Sequence, residues 1–288
     1  TIFGFIDIEG NRKYQEAMLI IGKKNGKSLI ASIVGLYLQV GDNEAGPEVY
    51  AVATKRDQAK IIWSESKRMR NKSPALKKRI RALVAELVSD FNDGIFKPLA
   101  SDSDTLDGLN IHGCLMDEIH QWKNGMALYD IMADGTSARE QPLIFITSTA
   151  GTIREDIYDQ KYDEFERIIN GYFDDNGYKD ERKIAFIYEL DSRKEWTDPK
   201  MWRKANPGLG TIKNERILAE KVERAKKNPA LVKNLVCKEF NIRETSTEAW
   251  LTFDRLNNTA TYDIAKLKPR YCIGGLDLSE TTDLTCAT

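Results

Sequence analysis

Histidine and cysteine are scarce in this chain. Of 288 residues only His112 and His120 are histidine, and only Cys114, Cys237, Cys272 and Cys286 are cysteine. The cysteines are scattered with no CxxC pair, which leaves too few clustered soft ligands for a zinc site and reads as incidental thiols in a reducing compartment. Long apolar runs are missing too. None approaches the roughly 18 residues that span a bilayer, and no signal-peptide pattern opens the chain. The chain therefore reads as cytosolic, with no membrane partner. Repeats and low-complexity stretches are also missing. So is an excess of either sign of charge, the net charge being −1.

What is there is ordinary in bulk and uneven in distribution. A hydrophobic fraction of 41% and a charged fraction of 30% are those of an ordinary soluble globular protein, and 288 residues are enough for one large α/β domain, or one domain with an appendage. Residues 1–82 carry 16 Lys/Arg against 8 Asp/Glu, whereas the remainder carries 27 against 36. A basic N-terminal third suits a phosphate or polyanion partner, although solvated helix faces explain such an asymmetry equally well. The chain opens at Thr1 inside a running pattern and stops at Thr288 inside a strand pattern. Both ends read as limits other than natural ones.

Short apolar runs at 16–22, 49–53, 113–116 and 142–146 have the composition of buried parallel strands. Phe96–Leu99 and Ile184–Tyr188 are further strand candidates. Helices are expected over 29–40, over 58–71 with Asp57 as cap, over the basic stretch 75–84, and then over 157–169, 198–204 and 215–227. Strands alternating with helices imply an α/β fold with a mainly parallel sheet flanked by helices. From about residue 156 the helices become longer and denser in charge. The five tryptophans, Trp63, Trp122, Trp196, Trp202 and Trp250, read as core or interface anchors.

Three polar clusters follow strand ends, where ligands of parallel sheets sit. The first is Gly22-Lys23-Lys24-Asn25-Gly26-Lys27-Ser28. A glycine-tipped strand-to-helix turn converges backbone N–H groups and a helix N-terminus on phosphate oxygens, with Lys27 reaching the β- and γ-phosphates and Ser28 ligating Mg²⁺. The usual spacing would put a glycine at Ile21; Gly22 is one place late. The second is Asp117-Glu118, ending an apolar strand. Asp117 would hold Mg²⁺ and Glu118 would orient and deprotonate the attacking water, favouring hydrolysis over transfer to a small molecule. The third is Thr147-Ser148-Thr149-Ala150-Gly151. There, small hydroxyls beside a γ-phosphate can sense its presence and relay the change, with Ser148 and Thr149 as coupling residues; an ordinary polar turn is the alternative.

GKKNGKS, CLMDEIHQW and ITSTAG, in this order and at these spacings, resemble the tailed-phage terminase large subunits of the group found in long-tailed siphophages. Ala53–Ala59, Leu106–Asn110, Trp202–Pro207 and Gly274–Ser279 with Asp283 reinforce the likeness, which covers essentially the whole chain. The resemblance implies a P-loop NTPase of the additional-strand, RecA-like kind over 1–155, a small, mostly helical linker subdomain over 156–262, and the start of an RNase H-like nuclease over 263–288. The activity it implies is ATP-driven translocation of double-stranded DNA into a procapsid, with ATP and Mg²⁺ at the motor site.

In the nuclease, Asp277 matches the first metal-binding aspartate, for Mg²⁺ or Mn²⁺. The other carboxylates would follow Thr288, so this stretch of chain is not expected to cut DNA. Implied partners are the portal protein, the small terminase subunit and further copies in a ring. The implied location is the host cytoplasm, docked transiently at the portal. An arginine finger is expected, with Lys23, Lys24, Arg139 and Arg154 as candidates and Arg139 placed near the rim of the site. The basic stretch 67–81 is a candidate for duplex contact, a solvated helical face being the alternative. A helicase, a P-loop small-molecule kinase and a DNA-binding scaffold that has lost nucleotide binding stay open as rivals.

Overall fold

The structure, a computed structural model, describes residues 1–100, 106, 108–153, 156–174 and 176–245, with the backbone of Leu276–Asp277 and Cys286–Ala287. In chain order the first elements are β1 (Glu16–Ile20), α1 (Lys27–Val40), β2 (Glu48–Ala53), α2 (Arg56–Lys72) and α3 (Pro74–Arg79). Next come β3 (Arg81–Ala82), β4 (Leu87–Ser89), β5 (Gly94–Ala100), β6 (Ile111–Asp117), α4 (Gly125–Asp134) and β7 (Leu143–Ser148). They are followed by β8 (Thr152–Ile153), α5 (Ile157–Gly171), β9 (Lys183–Ile187), α6 (Trp202–Ala205), α7 (Glu215–Lys227), α8 (Val232–Phe240) and β10 (Glu244–Thr245). The last two strands are β11 (Leu276–Asp277) and β12 (Cys286–Ala287), an antiparallel pair.

Eight strands form one sheet in the order β3-β4-β5-β2-β6-β7-β1-β9. The six from β5 to β9 run parallel, and β3 and β4 close one edge antiparallel. The apolar runs are continuous because both faces are covered. Met18, Ile20, Met116 and Ile146 face one core with residues of α4 and α5. Ala17, Leu19, Leu115 and Phe145 face the other with residues of α1 and α2. Each fully buried Leu or Ile of this kind contributes about 1.5–3 kcal/mol. Helix α1 lies close on the sheet at Gly35, where a Cβ would come within 2.6 Å of Leu115 Cδ1 and 2.8 Å of Phe96 Cε1.

The parallel, helix-flanked sheet is as expected, and β7 lies between the phosphate-loop strand β1 and the acidic strand β6, which is the additional-strand arrangement. Local boundaries differ in three places. The basic helix stops at Arg79 rather than 84, because Ile80 turns extended to bury its side chain and the chain enters β3. The helix expected over 198–204 is only the single turn α6, where Trp202 and Ala205 alone are buried. Lys55, not Asp57, is the N-cap of α2, and Asp57 lies in its first turn.

Strand β9, assigned to the linker by position, pairs in parallel with β1 and belongs to the main sheet. Residues beyond it build a separate small core of Leu190, Trp202, Ala205, Leu209, Leu218, Val222, Leu235 and Phe240, which is the helical appendage proper. The chain divides into the units Thr1–Ser246 and Thr247–Thr288. Among the described residues no helix is long and apolar enough to cross a membrane.

Candidate functional site

Side chains that follow β1, β6 and β7 meet at the carboxyl edge of the sheet. The turn after β1 enters α1 through Gly26, whose φ of 86° is the left-handed conformation that glycine adopts freely. Among the described residues, nothing accepts from the N–H groups of Asn25, Gly26, Lys27 or Ser28. They form the open N-terminus of a 14-residue helix. Lys27 is buried, its Nζ 3.4 Å from Ile21 O and 3.6 Å from Glu118 Oε1. Ser28 Oγ donates to Asp117 Oδ2 at 3.1 Å. The three clusters picked from sequence are therefore one site.

Asp117 is fixed from three sides. Thr147 Oγ1 donates to its Oδ1 at 2.7 Å, the Glu118 N–H donates to the same oxygen at 2.9 Å, and the Trp122 indole donates to its carbonyl at 3.2 Å. Burial raises its carboxyl above the usual range and the Glu118 charge adds to this, against Thr147, Lys27 and Ser28. Glu118 has φ 52° and ψ 43°, a left-handed backbone that costs a non-glycine residue about 1–3 kcal/mol and concentrates at functional sites. Its carboxylate faces Lys27, His120 and Thr149. Burial pushes this carboxyl up, but the His120 hydrogen bond and the charges of Lys27, His120 and Lys23 outweigh it and bring it down to about 2.

His120 went unremarked in the sequence as a site residue, although it stands two places after Glu118. Its Nδ1 lies 3.1 Å from Glu118 Oε2 and 3.0 Å from Ser148 Oγ, so the ring bridges the acidic strand and the hydroxyl tip of β7. Ser148 Oγ in turn donates to Thr149 O at 3.0 Å, and Thr149 Oγ1 donates to Glu118 Oε2 at 3.4 Å. Both hydroxyl residues are fully buried. The strand tip runs on into the appendage, since Ala150 N donates to Asn241 Oδ1 at 3.0 Å.

The appendage also closes on the phosphate loop, which the sequence did not reveal. The N–H groups of Gly22 and Lys23 donate to Ala205 O at 3.0 Å and Lys238 O at 2.9 Å, so these two donors hold the appendage and do not face a phosphate, contrary to the expectation for the loop as a whole. A Cβ on residue 22 would lie 2.5 Å from Asn206 Oδ1 and 2.6 Å from Glu239 O. The late glycine is thus required by the approach of another segment. Lys24 is exposed at φ 67° on the crest of the turn.

Arg139 is a correction. It precedes β7 and therefore lies at the amino edge of the sheet, with its guanidinium on Glu44 Oε1 at 2.7 Å, Ala45 O at 3.0 Å, Gly46 O at 2.6 Å and Asn110 O at 3.2 Å. Its side chain is 9% exposed and committed to that cluster, so it is not at the rim of the site. Arg154, Trp250 and the side chain of Asp277 lie outside the described residues. The Ser28–Asp117 pair offers two hard oxygen donors beside an anion-binding turn, which suits Mg²⁺ completed by phosphate and water. Among the described residues, no three His, Cys, Asp or Glu side chains cluster as a metal cage.

Residues 1–167 match the family model for the terminase large subunit, ATPase domain, and residues 178–288 match that for the terminase large subunit, endonuclease domain. The second match begins inside the stretch read from sequence as linker. Among curated relatives, Protein YmfN of Escherichia coli (strain K12) is 29% identical over 181 residues, covering 62% of this chain and 38% of that protein. The large terminase subunit of Enterobacteria phage HK97 is 25% identical over 273 residues, 93% of this chain and 52% of that one. The crystal structure of the HK97 large terminase aligns with a TM-score of 0.69 at 24% identity, over 80% of this chain and 47% of that one. The Thermus phage P74-26 large terminase ATPase domain aligns at 0.54 and 14%, over 83% and 96%. At these identities the structural matches speak for the fold alone. This chain spans about half or less of the length of the curated relatives.

Proposed function

The chain belongs to the family of terminase large subunits, and on that premise we propose that it is the ATP-hydrolysing part of a motor that drives double-stranded DNA into a preformed capsid. The observation that supports this best is the convergence of Lys27, Ser28, Asp117 and Glu118 beyond the ends of β1 and β6, the two parallel strands that flank β7. In this reading the N–H groups of Asn25 to Ser28 and the Lys27 ammonium bind the β- and γ-phosphates of ATP. Ser28 and Asp117 would hold Mg²⁺, whose charge would offset that developing on the phosphate oxygens. Glu118, ionised across the working pH range, orients a water and takes its proton. The water oxygen bonds to the γ-phosphorus while the bond to the β–γ bridging oxygen breaks, giving ADP and phosphate.

Ser148 and Thr149, tied to Glu118 through His120 and directly, report the change to β7 and, through Ala150 and Asn241, to the appendage. The portal protein, the small terminase subunit and other copies in a ring are the partners of the assembled motor, working in the host cytoplasm at the procapsid portal. Asp277 would serve the metal of the endonuclease domain. The residue acting as arginine finger is one other than Arg139.

The test is Glu118→Gln in this chain. ATP binding should be retained while hydrolysis falls about 10²–10⁴-fold, the contribution of a positioned base. Hydrolysis undiminished in that variant would remove Glu118 from the mechanism. Strand separation by the wild-type protein would favour a helicase over a packaging motor.

A further inference from the structure

The phosphate loop is bounded on one side by its own helix and on the other by a buried polar network from the appendage. Asn25, 2% exposed, donates through Nδ2 to Gly22 O at 2.8 Å and to Asn206 Oδ1 at 2.8 Å, and its Oδ1 accepts from Gly208 N at 3.2 Å. It thus ties the two ends of the loop's crest together and ties the crest to the segment after α6.

Asn206 is wholly buried and every hydrogen-bonding position of its amide is used. Its Nδ2 donates to Trp202 O at 3.1 Å and Glu239 O at 2.8 Å, while its Oδ1 accepts from Asn25 at 2.8 Å and from Lys213 Nζ at 2.6 Å. An amide has two N–H donors and two carbonyl lone pairs, so this one is saturated and has a single orientation. Lys213 is held in turn by Glu239 Oε2 at 2.6 Å, and Lys221 holds the other oxygen of that carboxylate. Asn206, Lys213 and Glu239 lie 181 and more positions from Asn25 in sequence, so the network fixes a long-range relation and not a local turn.

We propose that Asn206 is a positioning residue for nucleotide binding: oriented by Lys213 and Glu239, it sets through Asn25 the curvature of the phosphate loop, so that binding of a nucleoside triphosphate and seating of the appendage are one linked equilibrium. The missing Cβ at Gly22 belongs to the same device, because it lets Asn206 approach the loop. Linkage is reciprocal: whatever strengthens seating strengthens binding, and bound nucleotide holds the appendage down. The inference rests on the nucleotide-binding reading above, but its consequence for the shape of the loop does not need a nucleotide.

The experiment compares the wild-type chain with Asn206→Ala, Asn25→Ala and the double variant. Asn25→Ala leaves the other three bonds of Asn206 in place and guards against a failure of Asn206→Ala to fold. Without nucleotide, amide hydrogen exchange at Gly22 and Lys23, whose N–H groups are bonded to the appendage, should quicken in each variant. With a fluorescent ATP analogue, affinity and KM should weaken about 5- to 150-fold, the range of coupled sites. The double variant should be no worse than either single one, while kcat at saturation falls far less than KM rises. A purely structural role would instead lower the active fraction and kcat at unchanged KM. Unchanged exchange in the loop, additive single effects, or a loss confined to kcat would each overturn the proposal. Nucleotide binding by the wild-type chain tests the functional reading separately, and the exchange measurement decides this one whatever that titration gives.

Discussion

Replacing His120 by alanine should change how stability depends on pH, not merely its level. The Glu118 carboxyl sits at about 2 against an ordinary 4.5, which amounts to about 3 kcal/mol in favour of its charged form at neutral pH. Because this folded-state value is depressed, the stabilisation is fully present above pH 4.5 and drains away as pH falls towards 2. The His120 hydrogen bond at 3.1 Å leads the contributions that overcome burial. A hydrogen bond to a charged group contributes about 1.5–3 kcal/mol, half or more of the whole effect.

The variant should therefore melt lower than wild type at pH 6 by about 3–12 °C, at roughly 2–4 °C per kcal/mol for a unit of this size. The gap should narrow as both approach pH 2. Loss of the ring's edge contact with Tyr158, at 6.4 Å between centroids, adds an offset that does not depend on pH and is separated by that fact. The assay is thermal melting followed by circular dichroism between pH 2.5 and 6.5. Parallel curves over that window would refute the idea that His120 holds the Glu118 carboxylate.

Arg139→Ala removes a guanidinium with four oxygen partners at the amino edge, and should cost about 1.5–3 kcal/mol in a denaturant titration, as for hydrogen bonds to a charged group at a part-buried site. ATP turnover per folded molecule should stay within twofold, and a collapse of turnover at unchanged stability would return Arg139 to the mechanism. Asp117→Asn keeps the shape beside Ser28 but removes the negative charge, so the Mg²⁺ concentration for half-maximal turnover should rise at least tenfold; an unchanged Mg²⁺ dependence would place the ion elsewhere. Phe165→Ala opens a hole in the core between α5 and the sheet and should cost about 3–5 kcal/mol, measured by the same titration. A loss below 1 kcal/mol would mean that the packing described there is wrong.

The parts of the fold legible in the sequence were those written locally. Runs such as Ala17–Ile20 announce a strand covered on both faces, and Gly26-Lys27-Ser28 or Asp117-Glu118 mark the polar tip of a strand. Partnership between distant segments was not legible. Nothing in Lys183–Ile187 says that it will pair with β1, and nothing in Ala205-Asn206 says that it will meet Gly22. The error over Arg139 has a geometric origin. Arg139 is near β7 in sequence, yet a residue before a parallel strand lies at the edge opposite to the residues after it. The six residues of β7 carry the chain about 20 Å across. The basic stretch misled for another reason: its helical periodicity runs past Ile80, where burial of one side chain outweighs propensity. His120 was within reach of local reasoning, since an imidazole two places beyond a strand-end carboxylate is a candidate partner for it.

The amino edge of the sheet has a practical use that stems from its separation from the chemistry. There Arg12, Asp42, His112, Glu44 and Arg139 interlock, while Ala45 stands exposed in the loop between α1 and β2. A dye or a surface tether attached through a cysteine at position 45 would sit beside this cluster of ion pairs, a full strand length from the phosphate loop. Single-molecule records taken from such an anchor would follow the protein with little disturbance of the phosphate loop.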